Sequence, residues 1–330
     1  MRNIGFFILI CAAMLLFTHK AFSAGEVIDQ PEKKETPTDK EVSQPNKKDS
    51  KVEKQEPDSK EAWNIPLGLM AFHPNYIMPG FYTYKPYNSV FRNYTLAGLT
   101  AYFNLIPNAK VFKYNTADGR ALSPWECKFQ VSILIPLKLD VLLKDLSINL
   151  AYTQVSFWQL FKKDAYFRET NYEPEVFLHY KIFEHVAFVL GATHQSNGRG
   201  GSLERSWNRA DADVILRWEH WHVDLKGWVP IFKKESIDLH NPDLLKYMGY
   251  GRLLVAYNVD RFEFSAQGNN FFESRFRRWA FQLTASFRIF QYLSLYVSYF
   301  NGYAQSLIEY NHKCQSFGAG LTASGWFWNI

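Results

Sequence analysis

The sequence predicts an all-β protein: a twelve-stranded antiparallel transmembrane β-barrel preceded by a signal peptide and a disordered charged segment. Three observations carry this. Short segments with strict period-two alternation recur from about Trp63 onward, which is strand periodicity rather than helix periodicity. Aromatic residues make up 17% of the 330 residues while the mean hydropathy is slightly negative, as in a wall that is apolar outside, polar inside and girdled by rings. No run of about 18–20 uninterrupted apolar residues, the length of a transmembrane helix, follows the first 23 residues. A soluble β protein shares the first two features, so the strand faces must separate the two.

In chain order, Arg2, an apolar stretch over 6–17 and the small residues around Ala21 and Ser23 form a secretory signal over residues 1–23. Twelve apolar residues are too short to span a bilayer; the competing reading is a short anchor. Residues 24–62 are dominated by Lys, Glu, Asp, Pro, Ser and Gln, with no aromatic between Phe22 and Trp63. Such a stretch cannot bury enough apolar surface to offset its ordering entropy and is expected to be disordered, a solvated spacer in preference to a periplasmic tether. The barrel domain then occupies 63–330. Clean alternation runs over 127–133, 146–152, 262–266, 281–287, 293–298 and 317–323.

The two strand faces differ in kind. Opposite the apolar face of 205–219 stand Arg205, Trp207, Arg209, Asp211, Asp213, Arg217 and Glu219, and 222–228 offers His222, Asp224, Lys226 and Trp228. In a sandwich those charges would meet water and the apolar face would pack on a second sheet. In a barrel they fill the lumen and pair across it. About twelve segments, an even number, with turns as short as 288–292 and aromatic segment ends favour the closed barrel, which also removes exposed edges. Cys127 and Cys314, the cysteines outside the signal, are too few for a framework: they form one disulfide or are ordinary strand residues. The net charge of +5 suits an anionic lipid surface, and no nucleic-acid partner is expected.

The hairpin over 186–216 carries the chemistry. Val186, Phe188, Leu190 and Ala192 alternate straight into His194 and Ser196; after a Gly-rich turn Asn208 shares a face with Ala210, Ala212, Val214 and Leu216. A base, a nucleophile and an orienting amide therefore stand on the apolar face, which in a barrel meets lipid. A serine hydroxyl needs a neighbouring base, and an imidazole needs a third group to fix its tautomer. An amide in that role carries no charge, which lowers its cost on a lipid-side surface. Asn197-Gly198 directly after the serine forms a turn that offers backbone N–H groups to an oxyanion, and a cation there would polarise the scissile carbonyl.

His194-Gln195-Ser196-Asn197-Gly198-Arg199 and Arg205-Ser206-Trp207-Asn208-Arg209 resemble the signature of the outer-membrane phospholipase A family. Tyr152-Thr153-Gln154, Trp158-Gln159-Leu160, residues 167–174, 246–250 and 306–311 extend the resemblance from about Phe72 to the end. It implies a twelve-stranded barrel in the bacterial outer membrane with its active site on the outer wall. It implies Ser196 as nucleophile, His194 as general base, Asn208 as orienting residue and the Gly198 N–H as oxyanion donor, with a calcium-bound water as the second donor. The substrates implied are phospholipids and lysophospholipids, cleaved at acyl esters (A1/A2). The resemblance further implies control by calcium-dependent homodimerisation, with Gln154 in the dimer interface. The Arg199 carbonyl, Glu204 and, from the partner subunit, Ala165 occupy the calcium-ligand positions. At Glu204 and Ala165 the family pattern carries serine, so one ligand becomes a carboxylate and the other loses its side-chain oxygen. The rival classes are a non-enzymatic barrel, pore or structural protein, and a soluble β hydrolase or lectin.

Overall fold

The computed structural model describes residues 69–84, 122–138, 143–163, 165–199, 203–231 and 241–326. The expected signal (1–23) and charged segment (24–62) lie outside the described residues. In chain order the strands are β1 (Met70–Ala71), β2 (Tyr76–Tyr84), β3 (Trp125–Lys138), β4 (Leu146–Trp158), β5 (Phe167–Phe183), β6 (Val186–Ser196), β7 (Ser206–Arg217), β8 (Trp221–Pro230), β9 (Gly251–Val259), β10 (Phe262–Asn269), β11 (Ala280–Phe290), β12 (Leu293–Tyr303) and β13 (Lys313–Thr322), with one helical turn, α1 (Leu245–Met248), before β9. Each strand from β3 to β13 pairs antiparallel with its chain neighbours; β13 pairs with β2 and β2 with β3, which closes the ring. The expected twelve-stranded closed barrel is what forms.

The first wall strand is interrupted. β1 pairs with Ile133–Leu134 of β3, and β2 pairs with the earlier part of β3, so the two share one track. Between them, residues 72–75 leave the wall, and Phe72 stacks on Phe177 at 5.5 Å. Asn75 patches the gap: its Oδ1 accepts the Ser132 N–H at 2.7 Å and its Nδ2 donates to the Ser132 carbonyl at 3.0 Å. A side-chain amide thereby stands in for a missing peptide in the ladder.

Alternation sorts the residues as a membrane barrel requires. Leu190, Leu225, Leu253, Phe264, Leu283 and Leu295 are exposed on the outer wall, while Asp211, Asp213, Asp224 and Lys226 are buried inside. Buried charges persist only when paired. Lys226 Nζ reaches Glu175 at 3.2 Å, Asp211 at 3.4 Å and Asp213 at 3.6 Å. Arg168 holds Glu126 through Nε (2.8 Å) and Nη2 (3.1 Å), and Glu309 through Nη1 (3.2 Å). Glu309 belongs to the β12–β13 connection, whose Leu307 and Ile308 N–H groups bond Asn171 (3.0 Å) and Glu169 (3.2 Å), tucking that connection into the barrel mouth. Cys127 and Cys314 are both buried, and no disulfide joins them.

The barrel has unlike ends. β5–β6, β7–β8, β9–β10 and β11–β12 are joined by tight turns at one end, and β6, β8, β10 and β12 end at the other, where their connections to the next strands are longer. Short turns face the periplasm and long loops the exterior in such barrels, so β6 carries Ser196 to the outer end of the wall.

Candidate active site

His194 and Asn208 are directly opposed in the β6–β7 ladder, and Ser196 opposes Ser206. The His194 Nδ1 and Asn208 Oδ1 atoms are 2.8 Å apart. An amide oxygen only accepts, so Nδ1 bears the proton and Nε2 is left as the basic nitrogen. Ser196 follows His194 by two residues on the same outward face, roughly 6–7 Å along the strand. All three are partly exposed on the outer wall, on the same face as the exposed Leu190 and Val214 and nearer the end of the hairpin where 197–205 connects.

The loop after Ser196 is built by Asn197. Its Oδ1 accepts the N–H groups of Arg199 (3.3 Å) and Arg205 (3.0 Å), its Nδ2 donates to the Leu203 carbonyl (2.9 Å), and its own N–H bonds the Arg205 carbonyl (3.0 Å). The Gly198 N–H has no acceptor among the described residues. Gly198 adopts φ +62°, and a Cβ there would come within 2.9 Å of the Tyr172 ring, so glycine is required twice over. Tyr172 lies opposite Ser196 in the β5–β6 ladder and covers this turn.

Arg199 turns its guanidinium onto buried Glu169, with Nε 3.2 Å from Oε2, and onto the Arg168 carbonyl. Neither the Arg199 carbonyl nor the Glu204 carboxylate has a hydrogen-bond donor among the described residues. These two hard oxygen donors on one short loop fit a hard cation. Among the described residues no group of three or more His, Cys, Asp or Glu forms a metal site, so carbonyl and hydroxyl oxygens would have to complete any coordination shell around Glu204. Ala165, at φ +34°, offers only its carbonyl, which accepts the Trp158 Nε1–H at 3.0 Å. Gln154 stands on the outer wall in a polar row: it accepts from the Tyr152 hydroxyl at 3.0 Å and donates to Ser156 Oγ at 3.1 Å.

A groove of about 530 Å³ runs across the outer wall beside His194 and Asn208, lined mainly by apolar residues such as Ile133, Ile135, Leu150, Val176, Ala192 and Ile231. An apolar trough ending at a base is suited to hold a hydrocarbon chain with its polar end at the imidazole. Sequence reasoning missed Tyr172, Asn197 as loop builder, and Glu169. The first and last lie within 167–174, a block that alternation marks as strand without showing its neighbours.

The fold and sequence have known counterparts. The family model of phospholipase A1 matches residues 50–323. The phospholipase A1 of Klebsiella pneumoniae is 34% identical over 250 residues, covering 73% of this chain and 82% of that protein. The calcium-bound dimer of the Salmonella typhi outer membrane phospholipase superposes with a TM-score of 0.65 at 28% identity, over 79% of this chain and 93% of that one. An active-site mutant of Escherichia coli outer membrane phospholipase A, with an asparagine changed to alanine, gives 0.64 at 28% identity over 82% and 95%. The chain is an integral outer-membrane β-barrel and belongs to the phospholipase A1 family.

Proposed function

We propose that this barrel hydrolyses acyl esters of phospholipids and lysophospholipids by a Ser196–His194–Asn208 mechanism on its lipid-facing wall. The observation that carries it is the 2.8 Å contact between His194 and Asn208 on the apolar face, one step from Ser196. Polar groups on a lipid face are costly, and a structural barrel has no use for this set there.

Ser196 Oγ attacks the ester carbonyl carbon while His194 Nε2 takes its proton. The Nδ1–H bond to Asn208 holds the ring and steadies the imidazolium. The Gly198 N–H donates to the oxyanion. Collapse expels the lysolipid alkoxide, which takes the proton from His194. A water deprotonated by His194 then releases the fatty acid from the acyl-serine. Calcium, held by the Arg199 carbonyl and Glu204, would supply a polarised water as a second oxyanion donor. With Ala165 at the partner's position, Glu204 would carry more of the binding. A homodimer meeting near Gln154 would cover the groove.

The test is fatty-acid release from phospholipid–detergent micelles by wild type and Ser196→Ala, with calcium and with excess chelator. Release by wild type alone, lost in chelator, is expected. Release that survives chelation would remove calcium from the mechanism; none from a folded dimer would favour the non-enzymatic barrel.

A further inference from the structure

The β10–β11 connection, residues 270–279, presents a surface that catalysis does not use. Phe272 is 82% exposed and Phe276 61% exposed, and their rings stack edge to face at 5.6 Å. Arg275, Arg277 and Arg278 are exposed around them. Among the described residues Arg275 and Arg277 have no carboxylate partner, Arg278 lies over the Tyr247 ring, and the one acid of the connection, Glu273, accepts the Tyr250 N–H.

This tip is held in place. Asn270 Nδ2 shares its two hydrogens among the carbonyls of Lys246 (2.9 Å), Tyr247 (2.9 Å) and Arg278 (2.6 Å). Arg275 and Phe276 both sit at positive φ, +51° and +58°, which bulky residues rarely adopt. The fold therefore displays the rings where a relaxed loop would fold them away.

The rings also continue the lipid-facing wall. Tyr299 of β12 contacts Phe281 of β11 at 5.8 Å, Phe281 stacks on Trp279 at 5.3 Å, Trp279 on Phe271 at 6.0 Å, and Phe271 meets Phe276 at 6.0 Å. The Tyr299 hydroxyl accepts from Gln315 (2.6 Å) and Asn301 (3.3 Å), polar groups that mark where the hydrocarbon zone ends. Beyond that level lie the headgroups, and there the arginines stand.

We propose that residues 271–279 form a docking site for lipids of the surrounding outer leaflet whose phosphate headgroups carry net negative charge: Phe272 and Phe276 enter the acyl boundary and Arg275, Arg277 and Arg278 hold the anionic headgroups. Continuity with the aromatic girdle and the charge excess select a lipid over a soluble partner. The site lies two strands away from the catalytic hairpin, with β8 and β9 between, and does not depend on the catalytic reading.

The experiment uses the full barrel in a Ser196→Ala background, so that no lipid is consumed, and native mass spectrometry from neutral detergent to count retained phosphatidylglycerol and phosphatidylcholine. The parent is expected to retain phosphatidylglycerol preferentially. Arg275→Asn/Arg277→Gln/Arg278→Gln, with asparagine chosen for the positive-φ position, should lower that retention roughly fivefold per arginine and abolish the preference. Phe272→Ser/Phe276→Ser should weaken retention of both lipids. Heat-dependent gel mobility verifies that each variant is a folded barrel. Equal retention of the two lipids by the parent, an unchanged preference in the arginine variant, or a phenylalanine variant indistinguishable from the parent would overturn the proposal.

Discussion

Asn208 illustrates how one side chain is selected by its surroundings. Facing lipid beside His194, an aspartate would add a charge where solvation is poor, whereas the amide supplies the same acceptor at 2.8 Å without one. Asn208→Ala should lower kcat by ~10- to 100-fold while leaving residual hydrolysis, because the base remains and loses only its orientation; full activity in initial-rate assays would remove Asn208 from the mechanism. Gly198→Ala should be more damaging. Its Cβ would strike the Tyr172 ring and its φ is unfavourable, so the N–H is displaced. A loss of about 10²–10³ in kcat is expected, with unaltered gel mobility of the folded form. At this scale His194, Ser196 and Asn208 were legible because period-two alternation alone places them on one face. Tyr172 was not, since its contact with Gly198 depends on the β5–β6 register, and no local pattern encodes that.

The broken first strand is the lesson at the level of elements. Residues 72–75, Phe72-His73-Pro74-Asn75, include a proline that cannot donate to a ladder, and the chain leaves the wall there. Asn75 repairs the ladder through Ser132, and Ser324 and Thr322 hold it from β13's end, with the Asn75 N–H bonding Ser324 Oγ at 2.9 Å. Asn75→Ala would leave the buried Ser132 N–H unpaired and its carbonyl with only the longer 3.3 Å bond from the Phe72 N–H. It should cost about 1–3 kcal/mol, read as a lower urea midpoint for the refolded barrel with catalysis per folded molecule retained. A midpoint equal to wild type would mean that Asn75 is not the repair. The sequence marked the strands that alternate cleanly, from 127–133 to 317–323, but not this interruption, because two residues are too short to show a period. The 271–279 segment also escaped notice: its alternating arginines and rings have no strand or helix period and gain meaning only beside Tyr299, Phe281 and Trp279.

For the molecule as a whole, one physical rule organises both fold and site. Alternation sends charge inward, where Lys226, Arg252 and Arg168 pair with carboxylates, and apolar groups outward, where lipid replaces the core of a soluble protein. The polar residues that break this rule on the outer wall are therefore those to examine for function, and His194, Ser196, Asn208 and the Tyr152–Gln154–Ser156 row are such exceptions. The interior plugging by 304–312 was not legible, because it rests on Arg168 and Glu309, 141 residues apart.

The central claim is that Ser196, activated by His194, meets its substrate from the lipid side. The most direct measurement is peptide mapping by mass spectrometry after exposing the reconstituted barrel to a long-chain alkyl fluorophosphonate dissolved in the bilayer. One adduct is expected, on Ser196, absent in His194→Ala. An adduct on another residue, or none on a folded barrel, would contradict it.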